Sequence, residues 1–482
     1  LGFQRQLQRS VMFAGKILQG LMSLHVGRSS IRRAVIDDLA LFHCPITFGH
    51  NRLSRSAARG KFRDAHPIYR ISISATRNDE NQDATMTDPT PTDRSPWAVF
   101  LIFLRLGLTS FGGPIAHLGY FRDEFVTRRK WLSERSYADL VALCQFLPGP
   151  ASSRVGIALG FSRSSYAGGL AAWAGFTLPS AVCLILFALG LANYGDALPA
   201  GVLHGLKIVA VAVVAQAVWG MARNLCPDVP RITLMAAATC LVLLVPSAWG
   251  QVGVIAIAGG VGLLLFRPQH AEAHDPLPIS MRRRVGLFWL ALFLVLLIGL
   301  PLLAAMFPNQ TLAMVDAFYR AGSLVFGGGH VVLPLLQAEV VPIGWVGNDA
   351  FLAGYGAAQA VPGPLFTFAA FLGAVTSTPG GWPGGLICLL AIFTPAFLLV
   401  AGALPFWERL RSNPRARAAL WGINAAVVGI LLAALYNPVW TSAIHRPQDF
   451  ALALLALLAL MVWKRPPWLI VAGCALAGWG MG

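Results

Sequence analysis

The sequence predicts an all-α polytopic membrane protein, with about 13 transmembrane helices in two inverted homologous halves whose helices are interrupted. Three observations predict it. Of 482 residues, 56% are hydrophobic and only 12% charged, where a soluble domain carries roughly 25% charged residues. Uncharged apolar runs follow one another, and residues 286–306, GLFWLALFLVLLIGLPLLAAM, exceed the roughly 20 residues a helix needs to cross the hydrocarbon. Open strands are excluded there because lipid cannot satisfy their edges. Finally, the second half of the chain repeats the first.

Residues 1–95 stand apart. The first 85 hold 13 Lys and Arg against 6 Asp and Glu, show no sustained helical period, and lead into RNDENQDATMTDPTPTDRSP, which reads as disordered linker. Met86, soon followed by an apolar run, has the look of an ordinary start, so this stretch is expected to be an over-extended upstream translation or a dispensable extension. An Arg- and Ser-rich organelle transit peptide is the rival reading. After Trp97, apolar runs fall near 97–118, 138–161, 166–193, 200–221, 231–248, 250–266, 286–306, 311–336, 350–376, 382–405, 416–436, 449–463 and 467–481. The expected organisation is a first repeat over 96–266, a linker loop and unpaired helix over 267–310, and a second repeat over 311–482.

The repeat is visible position by position. Arg105, Gly107, Phe111, Gly112, Gly113, Leu118 and Glu124 fall on Arg320, Gly322, Phe326, Gly327, Gly328, Leu333 and Glu339 at an offset of 215. Trp131, Gln145, Pro148, Gly149 and Pro150 fall on Trp345, Gln359, Pro362, Gly363 and Pro364 at 214, and Pro179 on Pro395 at 216. Chance apolar similarity does not keep charges and prolines in order, so the chain is read as a duplication. Six spans per half with one unpaired between them would insert the second half upside down, the plan of inverted-repeat transporters. Basic residues at Arg223, Arg231, Arg267, Arg282 to Arg284, Arg409 to Arg417 and Lys464 to Arg465 agree with cytoplasmic loops. The basic stretch 122–135 does not agree, and would lie outside.

The repeated motifs carry the chemistry. A Phe-Gly-Gly cluster within an apolar run breaks the helix at a depth where only protein or a water-filled cavity tolerates broken backbone. The freed N–H groups and helix dipole there attract an anion. Pro148 to Pro150 and Pro362 to Pro364 interrupt the following spans through their missing N–H. The expected substrate-binding set is therefore Phe111, Gly112, Gly113, Phe326, Gly327, Gly328, Gly329, Gln145, Pro148, Gly149, Pro150, Gln359, Pro362, Gly363 and Pro364. Arg105 and Arg320 join it, because an arginine inside an apolar helix costs about 2.5 to 3.5 kcal/mol and marks function by default. The plainer alternative is that each snorkels or pairs with an acid, Arg320 with Asp316 one turn earlier. Lys207 could add a third positive charge or snorkel. Glu124, Glu339, His117 and His330 are coupling candidates, against the alternatives of solvated carboxylates and local hydrogen-bonding histidines.

Other classes are disfavoured. The net charge of +16 is read as topology-setting loops touching anionic lipid rather than nucleic-acid binding. Seven scattered cysteines show no CxxC and no zinc spacing, so no metal or other cofactor is expected. No nucleophile–base pair or phosphate loop points to an enzyme.

The stretch RLGLTSFGGPIAHLGYFRDEFVTRRKWLSERSYADLVALCQFLPGP, with RAGSLVFGGGHVVLPLLQAEVV and AAQAVPGP, resembles the chromate ion transporter family in its long two-domain form, over roughly residues 96–482. The resemblance implies homologous antiparallel halves and export of chromate from the cytoplasm, giving resistance. It implies a multi-pass protein of a prokaryotic plasma (inner) membrane, driven by membrane potential or proton motive force. The glycine motif lands on Phe111 to Gly113 and Phe326 to Gly329, with Pro114 departing from Gly329. Expected partners are chromate or a related oxyanion and membrane lipid; a homo-oligomer is compatible with this. A sulfate or other oxyanion carrier, and from another class an anion channel, remain open alternatives.

Overall fold

The computed structural model describes residues 95–194, 199–267, 282–407, 410 and 413–481. The expected extension over residues 1–94 lies outside the described residues. Every element among them is helical. Helix α1 (Pro96–Thr109) starts where Ser95 accepts a hydrogen bond from the Ala98 amide and Pro96 takes a first-turn position, where a missing N–H costs nothing. It ends before the glycine pair, and α2 (Gly113–Arg122) runs on through a π turn, Asp123–Arg128. The apolar run 97–118 is thus two helices, and part of the basic stretch expected as a loop is helical. Helix α3 (Glu134–Phe146) ends at the proline-glycine-proline turn. The long α4 (Ala151–Tyr194) breaks at Ser164 and Ser165, whose backbone leaves helical geometry. Helices α5 (Ala200–Leu225), α6 (Val229–Leu244) and α7 (Ala248–Leu265) complete the first half.

After α8 (Arg283–Met306) the order recurs. Helix α9 (Gln310–Leu324) matches α1, and α10 (Val332–Val340), entered through a 3-10 turn at Gly329–Val331, matches α2. Helices α11 (Asn348–Ala358) and α12 (Phe368–Val375) match α3 and the first limb of α4, and α13 (Gly381–Ala403) matches its second limb. Helices α14 (Pro414–Ala434), α15 (Pro447–Met461) and α16 (Pro467–Met481) match α5, α6 and α7. Among the described residues six helices are long and apolar enough to cross a membrane: Ala151–Tyr194, Gly201–Leu225, Ala248–Leu265, Arg283–Met306, Gly381–Phe406 and Pro414–Ala443. Helices α15 and α16, 15 residues each, reach only about 22 Å, short of the roughly 30 Å hydrocarbon core.

Small residues decide which helices meet. A Cβ on Gly107 of α1 would lie 2.7 Å from the Gly175 carbonyl oxygen of α4, and one on its mate Gly322 of α9 would lie 2.2 Å from the Ile392 oxygen of α13. Larger side chains are excluded, so the backbones touch, as small-xxx-small contacts in membranes require. The same device joins the halves. Helix α5 of the first half packs on α15 and α16 of the second, and α14 of the second packs on α6 and α7 of the first. At these crossings a Cβ on Gly205 would lie 2.1 Å from the Cys474 oxygen, and one on Gly422 2.0 Å from the Ala258 oxygen. Each half therefore lends its last hairpin to the other.

Candidate functional site

Four backbone breaks come together in two reciprocal pairs. The Gly149 amide, in the first half's proline-glycine-proline turn, donates to the Val325 carbonyl ahead of the second half's glycine break, at 2.6 Å. The Gly363 amide of the second half donates to the Ser110 carbonyl ahead of the first half's break, at 3.0 Å. Gly149 and Gly363 have φ of 113° and 103°, the left-handed region that favours glycine. Thus each turn supplies the partner that the broken helix of the opposite half lacks.

A cavity of about 60 Å³ opens beside one of the pairs, lined by Gly112, Gly113 and Pro114 of the first break and by His330, Gln359 and Gly363 of the second half, with Gln216 from α5. The room holds several waters or one small oxyanion. The Gln359 side-chain nitrogen is buried without a partner, and His330 Nδ1 lies 2.8 Å from the Tyr355 hydroxyl. Beside the second glycine break the equivalent space is filled: a Cβ on Gly328 would lie 3.2 Å from the Met221 sulfur, and one on Gly327 3.0 Å from Leu225 Cδ1. Gly329 sits against Pro114, its own mate in the repeat, so closely that a Cβ on it would lie 3.3 Å from the proline ring. The centre is therefore asymmetric although its backbone is duplicated.

The charged residues of the expected set do not converge there. Arg105 is exposed on α1. Arg320 is held by two acids, at 2.8 Å from Glu339 and 3.2 Å from Asp316, and stacks 5.0 Å from the Trp249 ring centre. One guanidinium is thus shared by two acid side chains. Lys207 pairs with Asp349 at 3.0 Å. Gln145 is exposed, Gly149 and Pro150 are buried, and Pro148 is half-buried. Phe111 and Phe326 are half-buried at the two breaks, and Pro362 and Pro364 flank Gly363. Glu124 bonds Arg129 at 2.6 Å and Arg128 at 3.0 Å. Burial alone would raise its carboxyl, but the two arginines outweigh this and hold it below the ordinary carboxylate range.

Gln216 and Arg154 escaped the sequence reading, which named His117 among the coupling candidates. Gln216 lines the cavity. His117, 1% exposed, places Nδ1 3.4 Å from the Ser152 hydroxyl and its ring edge-on to Phe176. Arg154, in the first turn of α4, is fully buried. The available signal for it was a cation within the apolar run 138–161 that has no cation at its mate, Phe368.

Paired interrupted helices with a cavity beside one pair, in a chain of long apolar spans, define a multi-pass helical membrane protein of duplicated build. One family model, that of the chromate transporter, matches twice, over residues 97–263 and 312–479. The chain belongs to the chromate transporter family. It is 29% identical over 394 residues to the probable chromate transport protein of Synechococcus elongatus, covering 78% of this chain and 93% of that protein. Identity to the chromate transport protein of Pseudomonas aeruginosa is 28% over 424 residues, 82% of this chain and 95% of that one. An uncharacterized transporter of Bacillus subtilis is 33% identical over 167 residues, 34% of this chain but 92% of its own length. No solved structure matches the chain.

Proposed function

We propose that the protein is a secondary carrier that exports chromate, or a related tetrahedral oxyanion, from the cytoplasm of a prokaryote across its inner membrane, conferring chromate resistance. The observation that carries this reading is the pair of reciprocal crossings, Gly149 to Val325 and Gly363 to Ser110, with a cavity beside the Gly363 crossing. A channel calls for a continuous pore, whereas a duplicated centre open at one break and packed at its mate suits alternating access. On this reading the repeats over 96–266 and 311–482 are inverted, and α8 is the odd element that turns the second over. The names of the Synechococcus and Pseudomonas relatives support chromate as the cargo.

Direction follows from the charge of the cargo. A dianion leaving a negative cytoplasm gains about 4.6 kcal/mol per 100 mV, so membrane potential alone can drive export. If protons are coupled, Asp316 and Glu339 are the place, because they share one guanidinium. Sulfate has the same charge, shape and acceptor pattern, and is the second reading. The test is labelled chromate uptake into everted membrane vesicles, with an imposed interior-positive potential and with excess sulfate. Accumulation that grows with potential supports the export reading, and sulfate competition would widen the selectivity. Chromate flux indifferent to potential would sink potential-driven export.

A further inference from the structure

We infer that Arg154 takes the charge of the transported oxyanion, in a polar site built by the first half alone; this rests on the oxyanion-carrier reading above. Arg154 is 2% exposed and sits one turn after the proline-glycine-proline turn. Its Nη2 donates to the Gly149 carbonyl, while Nε and Nη1 have no partner. Among the described residues it makes no ion pair. A buried charge without a counter-charge is costly, and a bound anion removes that cost.

The surroundings supply further donors. The Ser110, Ser153 and Thr177 hydroxyls and His117 Nε2 are all buried and unpartnered. Ser110 lies at one crossing, where its carbonyl accepts the Gly363 amide beside the cavity, and Arg154 lies at the other, on the Gly149 carbonyl. A Cβ on Gly149 would lie 3.8 Å from Arg154 Nε. Guanidinium and hydroxyl donors match in kind the acceptors of a tetrahedral oxyanion.

The duplication supplies an internal control. At the repeat offsets, Ser110 and His117 fall on Val325 and Val332, Ala151 to Arg154 on Leu365 to Phe368 (Leu-Phe-Thr-Phe), and Thr177 and Ser180 on Phe393 and Ala396. Val325, Val332, Phe366, Phe368, Phe393 and Ala396 are all buried. Only Ser153 keeps a hydroxyl at its mate, the buried Thr367, which donates to the Pro364 carbonyl; at the other positions the same fold packs apolar side chains in the second half, so Arg154, Ser110, His117 and Thr177 are not demanded by folding.

The experiment is equilibrium binding of labelled chromate, sulfate and molybdate to the purified full chain, paired with thermal unfolding in anion-free buffer. Arg154→Gln is expected to weaken binding of whichever anion the wild type holds by about 100-fold, Arg154→Lys to recover part of it, and Ser153→Ala and Thr177→Val each to weaken it several-fold. Without anion, Arg154→Gln should unfold no lower than the wild type, since it removes an uncompensated charge. An arginine that merely braces the Gly149 carbonyl predicts the reverse, lower unfolding temperature with unchanged affinity, and that result overturns the inference while leaving the carrier reading intact. Should Arg154→Gln fail to fold, unchanged affinity in both Ser153→Ala and Thr177→Val overturns it equally. A wild type that binds none of the three anions sinks the carrier reading itself, and this inference with it.

Discussion

Arg320 and Arg105 occupy equivalent positions in the repeat yet live in different electrostatic surroundings. Removing Arg320 strands Asp316 and Glu339 against each other, so Arg320→Gln should lower stability by about 3 kcal/mol, read as a fall in thermal midpoint in detergent. Arg105→Gln should stay within about 0.5 kcal/mol of the wild type. Equal losses in the two variants would contradict the pairing. Glu124 offers a pH test. Its carboxyl is held below the ordinary range, so its pairing stabilises the fold above the unfolded value of about 4.3 and loses that contribution as pH falls through the lower folded value. The midpoint difference between wild type and Glu124→Gln should therefore narrow on going from about pH 6 to about pH 3; a constant gap would show that the ion pairs contribute nothing. The paired arginines were legible in the sequence because charge in an apolar run stands out, but their partners were only partly so. Asp316 lies one turn away and could be named in advance; Glu339 reaches Arg320 only because the glycine break folds α10 back along α9. Arg154 carries the same signal, a cation in the apolar run 138–161, but its burial without a counter-charge is visible only in three dimensions.

At the scale of elements, the interruptions were legible because glycine clusters and prolines act on local backbone. What escaped was where the broken ends go. Gly149 and Gly363 bond to the opposite half, a relation that no local pattern encodes. The hairpin exchange left a faint mark in small residues at four-residue spacing, Gly201 and Gly205, Ala258 and Gly262, Ala418 and Gly422, Cys474 and Gly478, without saying which strip meets which. The crossing of α14 with α7 has no room for a side chain at Gly422, where a Cβ would meet the Ala258 oxygen at 2.0 Å. Gly422→Val should therefore cost roughly 1 to 3 kcal/mol or more through overpacking. Gly220→Ala, where a Cβ meets nothing within 4 Å, should leave the midpoint unchanged or raise it. Thermal unfolding of both variants checks this, and a neutral Gly422→Val would mean the two helices are not in backbone contact.

At the scale of the whole molecule, the exchange makes each half incomplete. The first half without the second leaves α5 without α15 and α16, and leaves α6 and α7 without α14; the second half alone is deprived in the same way. Small residues at those crossings cannot be satisfied by lipid as well as by a matching helix, because close backbone approach is what they offer. The two breaks would also lose their amide partners, since Val325 and Ser110 each depend on the other half's glycine. A chain cut within residues 268–281 should consequently behave as two fragments that are each poorly folded when expressed singly and that co-purify as a stable complex when expressed together. The Bacillus subtilis relative, for which 167 aligned residues span 92% of its length, has the size of one half. Co-expression followed by affinity capture of one tagged fragment and size-exclusion chromatography reads the outcome. Fragments that run singly as monodisperse monomers, with no affinity for each other, would show that the halves are independent domains and that the reciprocal crossings do not hold the centre together.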